Sequence, residues 1–219
     1  SAKLSVDIAL GLIGVLALWS GFFRIAEQSG LIHKVGLWLS PVFERLMPEV
    51  PRGHPAQGAV TMNLAANMLG LDNAATPLGL KAMQELQSLN PSRDTASNAQ
   101  ILFLVLNSSS VTLLPITIFM YRAQLGAADP TAVFIPILLA TIASTMVGLI
   151  AVMLLQKIRL DAVLLAFFAG FFLLVGSFIY WLTALPADQL SHHSQVLANG
   201  LLLAVIAGFI GIGLYRKVA

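Results

Sequence analysis

Charged side chains are spaced so widely along this chain that long apolar segments lie between them. Runs without Asp, Glu, Lys or Arg cover 53–71, 95–121, 130–156, 162–187 and 189–215. A membrane-spanning α-helix needs about 20 consecutive, mostly apolar residues. The pattern therefore predicts spans at 4–23, 98–121, 131–156, 161–184 and 195–215, in an all-α, polytopic membrane helical bundle.

The stretch 31–47 differs from the predicted spans because it is amphipathic. Apolar residues recur in it at helical spacing, and Lys34 and Glu44 lie between them. It is too short and too polar to cross a bilayer. Two placements remain open: a helix lying in the membrane interface with Trp38 as an anchor, or a helix packed beneath the bundle.

Composition narrows the class of protein further. Of the 219 residues, 58% are hydrophobic and only 10% are charged, whereas a soluble domain has about 25% charged residues. The partner we expect is therefore the lipid bilayer. A net charge of +2 gives no basic patch for nucleic acid. The absence of cysteine excludes disulfides and thiolate metal sites.

Catalytic signatures are also missing from the sequence. It contains no GxSxG or HExxH motif and no pair of Asp residues in facing spans. We therefore predict that the protein is not an enzyme, with no catalytic residue, metal site or cofactor.

Polar residues break the apolar pattern first within 54–79. Asn63 and Asn67 are four positions apart, so a helix would place both on one face. Gly70 suits the left-handed position that follows a helix. These features predict a helix that ends at a tight turn inside the membrane region.

A second helix is predicted after that turn. Asp72 and Asn73 have the composition of a polar turn, and Thr76 before Pro77 has the pattern of an N-cap followed by proline in the first helical turn. The order of helix, tight turn and helix is that of a re-entrant hairpin. If the turn lies at membrane depth, the Asp72 carboxylate is a functional candidate.

The other polar interruption lies in the middle of the apolar run 95–121. Asn107, Ser108 and Ser109 precede Pro115 there. Proline removes a backbone donor and clashes with the carbonyl four residues earlier, which belongs to Val111. Neighbouring hydroxyl groups can satisfy the freed backbone groups. This segment therefore predicts a broken transmembrane helix.

Two irregular segments in one membrane domain indicate a binding site. Irregular backbone at membrane depth is stable only where protein or a water-filled cavity surrounds it, and paired broken elements are typical of transporter sites. The alternative is that these polar residues only form hydrogen bonds that hold neighbouring helices together. The residues predicted to contact a small polar solute are Asn63, Asn67, Asp72, Asn73, Thr76, Asn107, Ser108 and Ser109.

The distribution of Lys and Arg predicts orientation. The loop 157–161 and the C-terminal residues 216–217 each carry two basic residues, whereas 185–194 carries none. The positive-inside rule places both basic segments in the cytoplasm. If 53–90 enters and leaves on one side, ten basic residues lie inside and two outside; if 53–71 crosses, the split is seven to five. The charges therefore favour a hairpin.

Several stretches resemble the spore maturation protein A family, which belongs to the Gate, or nucleoside-recognition, domain family. The same domain type occurs in concentrative nucleoside transporters and in the membrane part of ferrous-iron transporters. The resemblance extends over about 5–157 and is most specific across 63–83. The matching stretches are 25–31, 54–56, 63–67 and 70–83, followed by Asn107-Ser108-Ser109 and Pro115.

The resemblance implies a Gate-type membrane domain at 1–157 and two additional transmembrane helices at 158–219. It implies a multi-pass protein of the bacterial cytoplasmic (inner) membrane. A first residue that is not Met suggests a processed or partial chain. The extra helices suggest the N-terminal half of a fused protein whose second half resembles spore maturation protein B. Small residues at 204, 207, 208 and 211 predict close helix packing, within the bundle or in a homodimer.

Two functions follow as expectations. The first is a secondary transporter or permease that binds a small polar solute between the hairpin and the broken helix. The second is a non-transporting membrane scaffold or assembly factor that acts with a spore maturation protein B-like partner. In the scaffold, the polar turn would only satisfy helix ends and hold the partner.

Overall fold

The computed structural model of the chain describes residues 28–70 and 72–217, together with positions 6, 10, 13, 14, 17, 18, 20–22 and 24–26. The side chains of 31–33, 35, 36, 38, 72–74, 187 and 188 are outside this description. Most of the predicted span at 4–23, and the anchoring role of Trp38, therefore lie outside the described residues. No strand occurs in the described ranges.

Eight helices are described between residues 31 and 216. The three longest apolar segments, in α6, in α7 and over Gln189–Arg216 of α8, have the length and composition needed to cross a membrane. The prediction of an all-α membrane protein is confirmed. The helices are α1 (Leu31–Leu46), α2 (Pro55–Met68), α3 (Asp72–Ser88), α4 (Asn98–Ser108), α5 (Ile116–Gln124), α6 (Phe134–Leu155), α7 (Ala162–Thr183) and α8 (Ala187–Arg216).

Helix α7 shows what surrounds the long helices. Its sequence is apolar on every side, yet Leu164 is the only residue of the helix that is buried by protein. A helix that is apolar all round needs an apolar environment on all faces. Because neighbouring protein covers so little of α7, lipid is the environment that suits it.

The predicted span at 98–121 is broken into two helices. Helix α4 ends at Ser108, residues 109–115 are irregular, and α5 begins at Ile116 directly after Pro115. Proline is well suited to this place, because its fixed φ and missing N–H are tolerated at a helix start. The predicted helix break is therefore present, and α5 is only 9 residues long.

Helices α2 and α3 form the predicted helical hairpin, with one correction. Gly70 has a φ of 67° and turns the chain at the end of α2, as the sequence predicts. Helix α3 then begins at Asp72, so Asp72 and Asn73 are helical and do not form the predicted turn. Thr76 is not an N-cap, and Pro77 lies inside the helix. The tight glycine turn lets α3 start earlier, and Pro77 removes only the bond to the carbonyl of Asn73 in the first turn.

Three hydrophobic clusters show how the hairpin is oriented along α6. Its open end belongs to a hydrophobic cluster that joins Ala56 and Leu86 to Met153, near the C-terminal end of α6. Its tip belongs to a second cluster, where Ala66 packs with Leu114 beside the helix break. A third cluster lies around the N-terminal end of α6, beyond the tip. The start of α2 and the end of α3 therefore both lie near the C-terminal end of α6.

Candidate functional site

Three asparagine side chains connect α2, α3 and α4. The Asn67 amide on α2 donates to the Asn63 side-chain oxygen at 3.3 Å and to the side-chain oxygen of Asn107 on α4. Asn63 is fully buried and donates to the carbonyl of Ala75 on α3 at 2.8 Å. We call Asn63, Asn67 and Asn107 the amide cluster. Each amide carries both donors and acceptors, so the cluster can bind polar groups of either kind.

A glycine on α3 lets that helix approach the amide cluster closely. A Cβ atom at Gly79 would lie 2.9 Å from the Asn63 side-chain nitrogen and 3.5 Å from that of Asn107. The first distance is shorter than real Cβ contacts allow. The packing of α3 against the amide cluster therefore depends on the absence of a side chain at position 79.

The hairpin tip is bonded directly to the helix break. The carbonyl of Met68 accepts hydrogen bonds from the backbone N–H groups of Leu113 at 2.8 Å and Leu114 at 3.2 Å. A Cβ atom at Gly70 would collide with the carbonyl oxygen of Leu114. Backbone groups freed by the end of α2 and by the break thus satisfy each other, as irregular backbone in a membrane domain requires.

Helix α6 supports the break from the other side. The Thr145 hydroxyl donates to the carbonyl of Ser109, and the N–H of Thr112 donates to the Thr141 hydroxyl at 3.2 Å. Thr145 lies eleven residues after Phe134 and ten before Leu155, the ends of α6. At 1.5 Å per residue it is about 15 Å from either end. The break therefore lies beside the middle of a candidate span.

The structure brings together only part of the predicted site. Asn63, Asn67 and Asn107 meet in the amide cluster. Ser109 lies at the break, where its hydroxyl donates to the carbonyl of Val105 at 2.7 Å. Thr76 and Ser108 are exposed and lie outside the cluster. The side chains of Asp72 and Asn73 are outside the description.

Sequence reasoning did not single out Thr141, Thr145 or Gly79. The two threonines carried a signal, because they are four residues apart in a mostly apolar run and a helix places such residues on one face. Gly79 carried a weaker signal as a glycine inside a helix. None of the three could be assigned a partner without knowing which helices pack together.

The family comparison covers the region that contains this site. Residues 9–125 match the Gate family model, which is described as nucleoside recognition. The chain belongs to this family. The match includes the hairpin α2–α3, the helix break and α5, so the amide cluster lies within the Gate region. Helix α6, which supports the break, lies outside the match.

A curated relative of this Gate protein agrees with the family match. Spore maturation protein A of Bacillus subtilis (strain 168) is 43% identical over 143 residues, which are 65% of this chain and 73% of the relative. No solved structure matches the chain. The resemblance stated from the residues is therefore confirmed, while a fusion with a B-type protein stays a prediction.

A pair of charged residues connects α1, which lies within the Gate match, to the start of α7, which lies outside it. Arg45 pairs with Asp161, which also caps α7 by accepting the N–H of Leu164 at 2.9 Å. This backbone hydrogen bond, and then Arg45, lower the pKa of Asp161 below its usual value. Among the described residues, no group of three or more His, Cys, Asp or Glu could hold a metal ion.

Proposed function

We propose that this Gate protein is a secondary transporter or permease for a small polar solute. The observation that carries the proposal is the amide cluster beside a helix break at the middle of a candidate span. Asn63, Asn67 and Asn107 would contact the solute first. Ser109, Thr76 and residues 72–73 at the start of α3 would join them if the hairpin moves, and Ser108 is the weakest of the candidates.

The chemistry of the amide cluster supports this role. Carboxamide groups offer donors and acceptors without charge, which suits a neutral solute that carries several hydroxyl and amide-like groups. In transporters, broken helices supply backbone groups for binding at the bilayer midplane. The Gate family is described as nucleoside recognition, so nucleosides are the first solutes that we propose for this chain.

The packing of the hairpin supports a re-entrant placement. Its open end packs near the C-terminal end of α6, and its tip packs beside the break. We propose that α2 enters the membrane from the cytoplasmic side and α3 returns to it, which agrees with the distribution of Lys and Arg. We propose the bacterial inner membrane as the location, with α6, α7 and α8 each crossing it.

Uptake by purified protein in liposomes tests the transport proposal. We expect wild-type protein to accumulate radiolabelled uridine or adenosine above protein-free liposomes. Asn67→Ala and Asn107→Ala should each reduce the rate at least tenfold while the variants still fold, whereas Asn199→Ala, which changes an exposed asparagine on α8, should transport normally. Uptake by both asparagine variants at the wild-type rate would contradict the assignment of the site.

A scaffold role with a spore maturation protein B-like partner is the second candidate. The observation that favours it is that, within the described residues, every buried side-chain nitrogen or oxygen has a hydrogen-bond partner. A structural lock would have this property. If the scaffold proposal is right, Asn67→Ala will lower the melting temperature and the yield of partner complex, and no solute in a thermal-shift panel will stabilise the wild type.

A further inference from the structure

A cleft of about 400 Å³ opens where the ends of α1, α4 and α6 meet. Its walls come from 45–49, from the first two residues of α4, from 156–159 and from Asp161. Three of the lining side chains are basic, namely Arg45, Lys157 and Arg159. This cleft is separate from the amide cluster, and its chemistry is independent of the proposed transport.

The acidic groups that line this cleft already have partners. Asp161 is paired with Arg45 and accepts the N–H of Leu164. The Glu49 carboxylate accepts the N–H of Ala99 at the start of α4, at 3.3 Å. Within the described part of the chain, neither Lys157 nor Arg159 forms an ion pair with a carboxylate. The cleft therefore has two basic groups available for an anionic ligand.

The position of the cleft suits a membrane surface. Helix α6 has 22 residues, and at 1.5 Å per residue it is about 33 Å long, close to the thickness of the hydrocarbon core. Residues directly after Leu155 therefore fall at the level of the lipid headgroups. Large apolar side chains next to the lining residues in the chain are exposed: Leu154 by 73%, Leu155 by 82% and Leu160 by 57%.

We propose that this cleft binds the headgroup of an anionic phospholipid. Lys157 and Arg159 contact the phosphate, and the acyl chains lie against Leu154, Leu155 and Leu160. Basic pockets between transmembrane helices at the membrane surface are known to bind anionic headgroups. The exposed leucines select a lipid over a free anion, because inorganic phosphate would use the basic groups and gain nothing from an apolar surface.

Lipid binding to the purified protein tests this proposal. Dioleoyl phosphatidylglycerol or dioleoyl phosphatidylcholine is added in detergent, and bound lipid is measured by native mass spectrometry alongside the melting temperature. The test variant is Lys157→Asn with Arg159→Gln. The control is Arg216→Gln with Lys217→Asn, which removes one arginine and one lysine charge at the end of α8. The two lysines are matched in backbone conformation, because Lys157 has a φ of 54° and Lys217 a φ of 52°.

We expect phosphatidylglycerol, but not phosphatidylcholine, to bind and stabilise the wild type and the control variant. The cleft variant should bind it about tenfold or more weakly. Equal weakening in both variants, or no preference for phosphatidylglycerol, would overturn the proposal. Stabilisation by inorganic phosphate as large as that by phosphatidylglycerol would also overturn it, since the cleft would then be a free-anion site.

Discussion

Gly70 is the residue on which the contact between the hairpin and the helix break depends most directly. It combines a φ of 67° with a backbone carbonyl of Leu114 in the space where a side chain would begin. That carbonyl cannot move freely, because the N–H groups of Leu113 and Leu114 both bond to Met68. Glycine is therefore required here for conformation and for space.

Comparing Gly70→Ala with Gly126→Ala separates the need for a left-handed backbone from the need for space. Gly126 has a φ of 77° and no atom near its missing side chain, so Gly126→Ala should cost only the left-handed backbone, about 1 kcal/mol. Gly70→Ala should reduce the free energy of unfolding by clearly more. Denaturation of both variants in detergent measures the difference, and equal losses would show that the close approach to Leu114 is absent.

Thr145 provides a second prediction at the scale of a single side chain. It is 8% exposed and donates to the carbonyl of Ser109 in the break. Thr145→Val keeps the shape but leaves that carbonyl without its donor, so we expect a loss of about 0.6–2 kcal/mol. Thr183→Val is the control, because Thr183 is exposed and bonds only within α7. A loss no larger than that of the control would refute the supporting role of α6.

At the scale of elements, Asp161 joins α7 to α1 and makes this junction sensitive to acid. Its pKa is lowered in the folded protein by the N–H of Leu164 and by Arg45. Because the pKa is lower in the folded protein than in the unfolded chain, the ionised carboxylate stabilises the fold at pH values above the unfolded-state pKa of about 4. This stabilisation is lost as the pH falls through the pKa of the folded protein. Arg45, Lys157, Arg159 and Glu49 face the same cleft.

The pH dependence of melting tests this junction. We expect Asp161→Asn to melt below the wild type at neutral pH, with the difference shrinking as the pH falls below about 4 and through the lowered pKa of the folded protein, where the wild-type carboxylate becomes protonated. Glu49→Gln serves as the control for a carboxylate elsewhere on the cleft. If the difference in melting temperature between Asp161→Asn and wild type stays constant from pH 7 to pH 3, this contribution is ruled out.

The elements show which features the sequence could predict. Long apolar runs predicted α6, α7 and α8, because lipid imposes one composition on all faces of a span. The spacing of Asn63 and Asn67 predicted a shared helix face. The partner of Asn67 could not be predicted, because Asn107 is 40 residues away and only packing brings them together. The N-cap at Thr76 was wrong because Gly70 turned the chain earlier.

At the scale of the whole molecule, access to the amide cluster depends on how the hairpin is placed in the membrane. The proposed entry and return on one side is supported by the contacts of the open end near the C-terminal end of α6 and by the tip, which bonds to the break beside the middle of α6. A solute bound at the amide cluster would then be reached from the cytoplasm along the hairpin. If α2 instead crossed the membrane, the same amides would lie on a different path.

Labelling of single cysteines tests this placement most directly, because the chain has no cysteine of its own. Pro51→Cys and Asp94→Cys flank the hairpin, Arg216→Cys marks the end of α8, and Gln124→Cys marks the end of α5. With a membrane-impermeant maleimide, we expect positions 51, 94 and 216 to react from the cytoplasmic side and position 124 from the opposite side. Reaction of positions 51 and 94 from opposite sides would contradict the re-entrant hairpin and the site built on it.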